Sequence, residues 1–374
     1  MRLRTAAVGA ILAPAVATAS LAQGGGARGE APVGHAASVG QLQPQTGSTV
    51  ARAGSAAPAE RNTVTTTPMT TRVIRGTFRN AAGERPYVLH IPEGEAPAAG
   101  RPLVVMLHGC TQDADDIARG TRLHDVAGGR GWMVLYPEQP LAFNPKKCWN
   151  WFDPGHQRRD AGEPSLIAGM TAQAVAEHGG DASRVFLAGI SAGAAMASLV
   201  AAAYPEQYAA LALHSGLAHG AARTVMDAVA VMQRGVASPE PFAEGAFASM
   251  GARARIVPTL VIHGEADAVV APINGAQAAK QWFLTNALAK GQPLDTTSGG
   301  TDRVVTTEGG YRVTRSTYRA KDGLPLAWLV MVKELGHAWS GGSTDGTFTD
   351  PKGPSASALV TDFFAAHAAV PAKR

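Results

Sequence analysis

From about residue 101 onward, short apolar runs recur along the chain, each closed by glycine, proline or a polar cluster. RPLVVML (101–107), Trp132 to Tyr136, RVFLAG (184–189), Tyr208 to Leu213, VPTLVIH (257–263) and Leu326 to Val332 show little polar alternation. Strands of that kind are buried on both faces. Between them lie segments with helical patterning: Asp115 to Gly128, Pro164 to His178 with proline at a first helical position, Ala194 to Tyr204, Gly275 to Ala289, and a closing stretch from Ser355 to Ala369. Tyr311 to Arg319 adds a further strand. Two strands precede the series, Arg72 to Arg79 and Arg85 to Ile91, joined by a turn at Ala82-Gly83, and their closeness in sequence starts the sheet antiparallel. Strand–helix alternation predicts the α/β class: a mostly parallel central sheet with helices on both faces. The segment from Leu217 to Arg255 is too long for a plain connection. It holds one helical pattern, Arg223 to Gln233, and reads as a small cap or cleft wall.

The first seventy residues break this pattern. Arg2 and Arg4, an apolar run from Ala6 to Leu21 and small residues at Ala17, Ala19, Ser20 and Ala22 stand in the order of a secretory signal, so residues 1–22 are expected to be an export leader. The run is short and interrupted by Pro14, which argues against a membrane-spanning helix. An uncleaved Ala-rich tail is the alternative. Residues 23–70 are mainly Gly, Ala, Pro, Ser, Thr and Gln, a composition that cannot bury enough apolar surface to offset ordering entropy, and they are expected to form a disordered linker. The folded domain is then 71–374, in an exported, periplasmic or secreted protein.

Charge alters the picture little. The net charge is +4, of which Arg2 and Arg4 contribute +2 and the linker +1, leaving +1 on residues 71–374. Basic runs and basic–aromatic interleaving are absent from the sequence, so nothing points to nucleic acid. The sequence also lacks a metal-ligand cluster and a dinucleotide fingerprint, and no cofactor is expected. The two cysteines, Cys110 and Cys148, form one disulfide in an exported chain, or two separate buried thiols otherwise.

The sharpest motif is Gly189-Ile190-Ser191-Ala192-Gly193, a G-x-S-x-G between a buried strand and a helix. That context makes Ser191 a candidate nucleophile of an α/β-hydrolase fold, with a helix N-cap as the plain alternative. A serine hydroxyl needs a base, and this fold supplies serine, acid and histidine in that order. After VPTLVIH comes Asp267, with Glu265 as its local competitor. After Leu326 to Val332 comes His337, set in a Gly- and Ser-rich loop. The oxyanion donors are expected at the N–H of Ala192 and of Cys110, with Thr111 as second choice. A Cys110–Cys148 bridge would pin the oxyanion loop to Cys148-Trp149-Asn150-Trp151. Trp149, Trp151 and Trp339 are candidates to line a substrate cleft, or else pack in the core.

Taken together, LVVMLHGCTQ (103–112), CWNWF (148–152), GEPSLIAGM (162–170), RVFLAGISAGAAMA (184–197), LHSGLAHG (213–220), VIHGEAD (261–267), GHAWSGG (336–342) and FTDPKGPSASALVTDFF (348–364) resemble the poly(3-hydroxybutyrate) depolymerase family of esterases. The resemblance spans about residues 72–368. It implies an α/β-hydrolase fold, no cofactor, and hydrolysis of a carboxylic ester through an acyl-enzyme on Ser191, Asp267 and His337. It further implies a polyester of the poly(3-hydroxybutyrate) type or its oligomers as substrate. Feruloyl or acetyl esters of plant polysaccharide, and poly(aspartic acid), are the alternatives within a family of mixed substrates. A catalytically silent binding protein on the same fold is the non-enzyme alternative. No appended substrate-binding domain is legible, and nothing in the sequence fixes the oligomeric state.

Overall fold

In the third strand, β3 (Arg101–Leu107), alternate side chains enter two different cores: Leu103, Val105 and Leu107 join one, Val104 and Met106 the other. The same division runs through β5 (Gly180–Ile190) and β6 (Ala210–His214), where Val185, Leu187, Leu211 and Leu213 face one layer and Phe186, Ala188, Ala210 and Ala212 the opposite one. A two-residue side-chain period with both faces covered is what an unbroken apolar strand requires.

The structure is a computed structural model, in which residues 70–294 and 301–368 are described. The expected leader, and all but the last residue of the expected linker, lie outside the described residues. Among the described residues ten strands form one sheet. Besides the three above these are β1 (Thr71–Asn80), β2 (Gly83–Pro92), β4 (Met133–Pro137), β7 (Thr259–Gly264), β8 (Thr301–Glu308), β9 (Tyr311–Arg319) and β10 (Pro325–Val332), in the order β1-β2-β4-β3-β5-β6-β7-β10-β9-β8. From β4 to β10 neighbours run parallel, whereas β1 and β2 at one edge, and β9 and β8 at the other, run antiparallel to their neighbours. The mostly parallel sheet and its antiparallel start agree with the sequence reading.

Helices α1 (Ala114–Thr121), α2 (Leu123–Gly128) and α8 (Ala356–Ala366) cover one face; α3 (Gly162–Glu177), α4 (Ala192–Ala203) and α7 (Ile273–Ala289) cover the other. The 217–255 segment contributes α5 (Val225–Arg234) and α6 (Glu240–Met250), which pack on the α4 and α7 side. Two of the longer elements were illegible in sequence. β8 is polar, and its two valines, Val304 and Val305, face solvent. The buried positions of α6 are Ala243, Ala246 and Met250, too small an apolar face to stand out.

The single helix expected over 115–128 is two. Arg122 adopts φ 48° between them, and the Thr121 hydroxyl accepts the Leu123 N–H. The Gly120 carbonyl, freed from the helical ladder, accepts from Ser343 N–H at 2.8 Å, so the break docks the 343–349 loop.

Candidate active site

The chemistry-bearing residues gather at the C-terminal ends of the parallel strands, where open α/β sheets place their crevices. Ser191 follows β5 directly and holds φ 56° and ψ −122°, a strained conformation for a side-chain-bearing residue. The turn closes so tightly that a Cβ at Gly189 would overlap the Gly193 backbone, and one at Gly193 would overlap the Leu107 and His108 carbonyls. Only glycine fits both sites, which is the physical content of the G-x-S-x-G spacing. The Ser191 N–H donates to His214 O at 2.9 Å, fixing the turn to β6.

His337 lies in the loop after β10. Its Nε2 stands 3.0 Å from Ser191 Oγ and its Nδ1 2.8 Å from Asp267 Oδ2. Asp267, in the loop after β7, accepts the N–H groups of Val269 and Val270 on its other oxygen, at 2.9 and 2.8 Å. Burial pushes the Asp267 carboxyl up, but the bond and the charge of His337, the Val270 N–H and nearby His263 outweigh it and hold it below its ordinary value. An ionised Asp267 requires the proton on His337 Nδ1, which leaves Nε2 as acceptor for the serine hydroxyl. Glu265, the sequence competitor, takes no part in this chain of bonds.

Two buried histidines brace this arrangement. His263 Nε2 donates to Val270 O at 2.9 Å and lies 3.5 Å from Asp267 Oδ2; burial lowers its pKa. His214 stacks on Trp339, with ring centroids 4.9 Å apart, and its Nε2 accepts the Ser340 N–H at 3.3 Å, tying β6 to the His337 loop.

The loop after β3 borders Ser191: a Cβ at Gly109 would sit 3.4 Å from Ser191 Cβ. Gly109 N–H donates to Gln112 Oε1 at 2.9 Å, and Thr111 N–H donates to Lys146 O at 2.6 Å. The Cys110 N–H between them, and the Ala192 N–H at the start of α4, have no acceptor among the described residues. Thr111, the second-choice donor, is therefore occupied. Cys110 and Cys148 are disulfide-bonded. A cavity of about 170 Å³ opens over Ser191, walled by Cys110, Thr111, Met232, Val269, His337 and Phe348.

A family model described as esterase PHB depolymerase matches residues 85–303. The chain belongs to this esterase family. It is similar to the poly(3-hydroxyalkanoate) depolymerase C of Paucimonas lemoignei, 32% identical over 263 residues that cover 70% of this chain and 60% of that protein. It is also similar to the feruloyl esterase B of Neurospora crassa, 35% identical over 48% of this chain and 63% of the relative. The chain thus spans under two thirds of the length of these relatives. Among solved structures, the acetyl xylan esterase of Aspergillus awamori superposes with a TM-score of 0.58 at 22% identity, covering 71% of this chain and 94% of that one, which shows the shared α/β-hydrolase fold.

The three tryptophans expected to line a substrate cleft do not. Trp149, Trp151 and Trp339 are 0%, 4% and 1% exposed and pack in the two cores. Trp339 donates to Ser357 Oγ, and Trp149 packs beside His108. These residues are near the site's loops in sequence, but the chain turns their rings into the cores. The apolar wall comes instead from Met232, Val269 and Phe348. Met232 belongs to α5, so the 217–255 segment does form a cleft wall. Phe348 is brought to His337 by a two-strand pairing of Trp339–Ser340 with Thr349–Asp350.

Proposed function

We propose that this chain is an exported serine esterase in which Ser191 is the nucleophile, His337 the general base and acid, and Asp267 the group that orients and stabilises His337. The observation that carries the reading is the continuous path from Asp267 Oδ2 through His337 to Ser191 Oγ, at 2.8 and 3.0 Å, opening onto a cavity lined by Ser191 and Cys110. Ser191 Oγ attacks the ester carbonyl as its proton moves to His337 Nε2. The tetrahedral oxyanion accepts from the Cys110 and Ala192 N–H groups. Collapse expels the alcohol, which takes the proton from His337. Water, deprotonated by His337, then releases the acid and regenerates Ser191. No residue in this sequence of steps calls for a metal or cofactor.

The substrate reading is a polyester of short hydroxyacids, poly(3-hydroxybutyrate) in type, or its oligomers. The relative from Paucimonas lemoignei supports it. So does the cavity: about 170 Å³ is small beside the roughly 300–1,000 Å³ of sites for larger ligands, and suits a short acyl unit. A short acetyl ester of plant polysaccharide is the second reading, favoured by the same small cavity and by the acetylxylan esterase relatives. Residues 1–22 act as export leader, 23–70 as linker and 71–374 as catalytic domain in this proposal. The test is turnover of p-nitrophenyl esters, hydroxybutyrate oligomers, amorphous polymer, methyl ferulate, acetylated xylan and poly(aspartic acid). Release of hydroxybutyrate that Ser191→Ala abolishes is the expected result. Activity confined to acetylated xylan or ferulate moves the substrate and keeps the mechanism. No turnover, with Ser191 unlabelled by an active-site phosphonate, identifies a silent scaffold instead.

A further inference from the structure

A second cavity, of about 680 Å³, lies apart from the one over Ser191 and shares no lining residue with it. Its walls come from the turn at Pro154–His156 and the residues after it, the loop leading into α5, and one side of α6. Arg158 and Arg223 border it, with Gln157, His219, Phe242 and Ser249. No aspartate or glutamate is among the described residues that line it. Neither guanidinium has a hydrogen-bond or ion-pair partner among the described residues. The adjacent Arg159 behaves differently: it pairs with Glu206 at 2.8 Å and lies over the Tyr204 ring. At Gly220 and Gly245 the position of a Cβ meets nothing within 4 Å, so the walls stand open.

The electrostatics follow from this inventory. His219 is buried, which pushes its pKa down to about 4, so it is a neutral hydrogen-bonding group at neutral pH. The charge of the cleft is that of the two arginines, uncompensated by any lining acid. A guanidinium matches the planar geometry of a carboxylate and binds it through paired N–H donors. Phe242 and two prolines offer apolar surface beside them. Helix α5 joins the two cavities. Arg223 stands just before its N-cap, Thr224, and Met232 of the catalytic cavity lies eight residues further on, roughly 12 Å along the axis.

We propose that this cleft binds the terminal carboxylate of an oligomeric hydroxyacid ester whose scissile bond lies at Ser191. The proposal rests on the polyester reading and adds recognition of the chain end. A polymer carrying a carboxylate on every unit fits less well, because the cavity over Ser191 has no arginine or lysine among its described lining residues. One cationic cluster at a distance from the nucleophile matches a ligand with one anionic end.

The test compares a hydroxybutyrate trimer with its methyl ester at low ionic strength. The full chain is expected to favour the free acid in kcat/KM by about fivefold or more, the size of one or two partly exposed ion pairs. The Arg158→Gln/Arg223→Gln double variant, changed at two exposed positions, is expected to bring that ratio to near one, as is added salt. Calorimetric binding of both trimers to Ser191→Ala separates this proposal from the polyester reading. Tighter binding of the acid that the two arginine substitutions remove, without turnover by the unaltered protein, keeps the cleft and sinks the polyester reading. Turnover and binding indifferent to the free carboxylate sink the cleft and keep the polyester reading. Tighter binding of a glucuronate-bearing xylo-oligosaccharide than of the trimer overturns the assignment in favour of an acidic sugar.

Discussion

The amide of Thr111 donates to the carbonyl of Lys146 across 2.6 Å, two residues before Cys148, and so runs beside the Cys110–Cys148 disulfide. Bond and bridge together fix the Cys110 N–H at the edge of the cavity over Ser191. The bridge closes a separation of 38 residues. Replacing both cysteines by serine is expected to lower stability by about 4 kcal/mol on the chain-entropy model. An oxyanion donor acts chiefly in the transition state, so kcat should fall more than KM rises. Denaturant unfolding and steady-state kinetics on a p-nitrophenyl ester check both; an unchanged kcat would remove the bridge from the catalytic argument.

Asp267→Asn preserves the shape of the acid and removes its charge. The amide can present an N–H towards His337 Nδ1, which favours the tautomer with its proton on Nε2 and no acceptor for Ser191. A loss of about 10²–10⁴ in kcat is expected with the fold retained. Loss of less than tenfold would pass the role to Glu265, and Glu265→Gln is the matched control.

The meeting of Ser191, His337 and Asp267 could be read from the sequence because each follows a buried strand in the order this fold uses. The glycines around Ser191 have no alternative residue that fits. The tryptophans were misread because sequence distance to a loop says nothing about which side of that loop a ring occupies. Phe348 was invisible for the opposite reason: it lies eleven residues past His337, and a short strand pairing returns it. The cleft of Arg158 and Arg223 was equally hidden. A +1 net charge on the folded domain conveys nothing about two cations drawn from separate loops.

A buried ion pair supports the loop after β3. Arg85 and Glu163, with side chains 4% and 0% exposed, meet at 3.1 Å. Glu163 also accepts the Asn150 N–H at 2.7 Å and the Gln139 side chain at 2.6 Å. Gln139 N–H in turn donates to His108 Nε2, next to Gly109. Glu163→Ala leaves the Arg85 charge unpaired in the interior, which is expected to cost about 3–5 kcal/mol. Arg85→Met/Glu163→Leu, which removes both charges, should recover part of that loss, and thermal unfolding of the two variants tests it.

Acid should destabilise this protein well above the pH at which its carboxylates titrate. His108, His214 and His219 are buried, and burial lowers their pKa values from 6.5 to about 4, about 3 and about 4. Two of them accept backbone N–H groups on Nε2: His108 from Gln139 and His214 from Ser340. Protonation would destroy both bonds. Between pH 6.5 and about 4 the unfolded chain binds these protons and the folded chain does not, so stability is full above pH 6.5 and declines as the pH falls. Each histidine contributes a slope of about 1.4 kcal/mol per pH unit in that window. Asp267 acts lower on the scale: its folded pKa lies below the ordinary 3.8, so its contribution is present above that value and is lost only as the pH falls through the folded pKa. Urea midpoints at pH 7, 6, 5 and 4 should fall steadily, and His219→Asn, which keeps a neutral polar side chain, should reduce the slope by one proton. A midpoint that holds constant from pH 7 to 4.5 would mean that these imidazoles are not buried in the neutral form, and the hydrogen bonds that anchor the oxyanion loop and the His337 loop would need another acceptor.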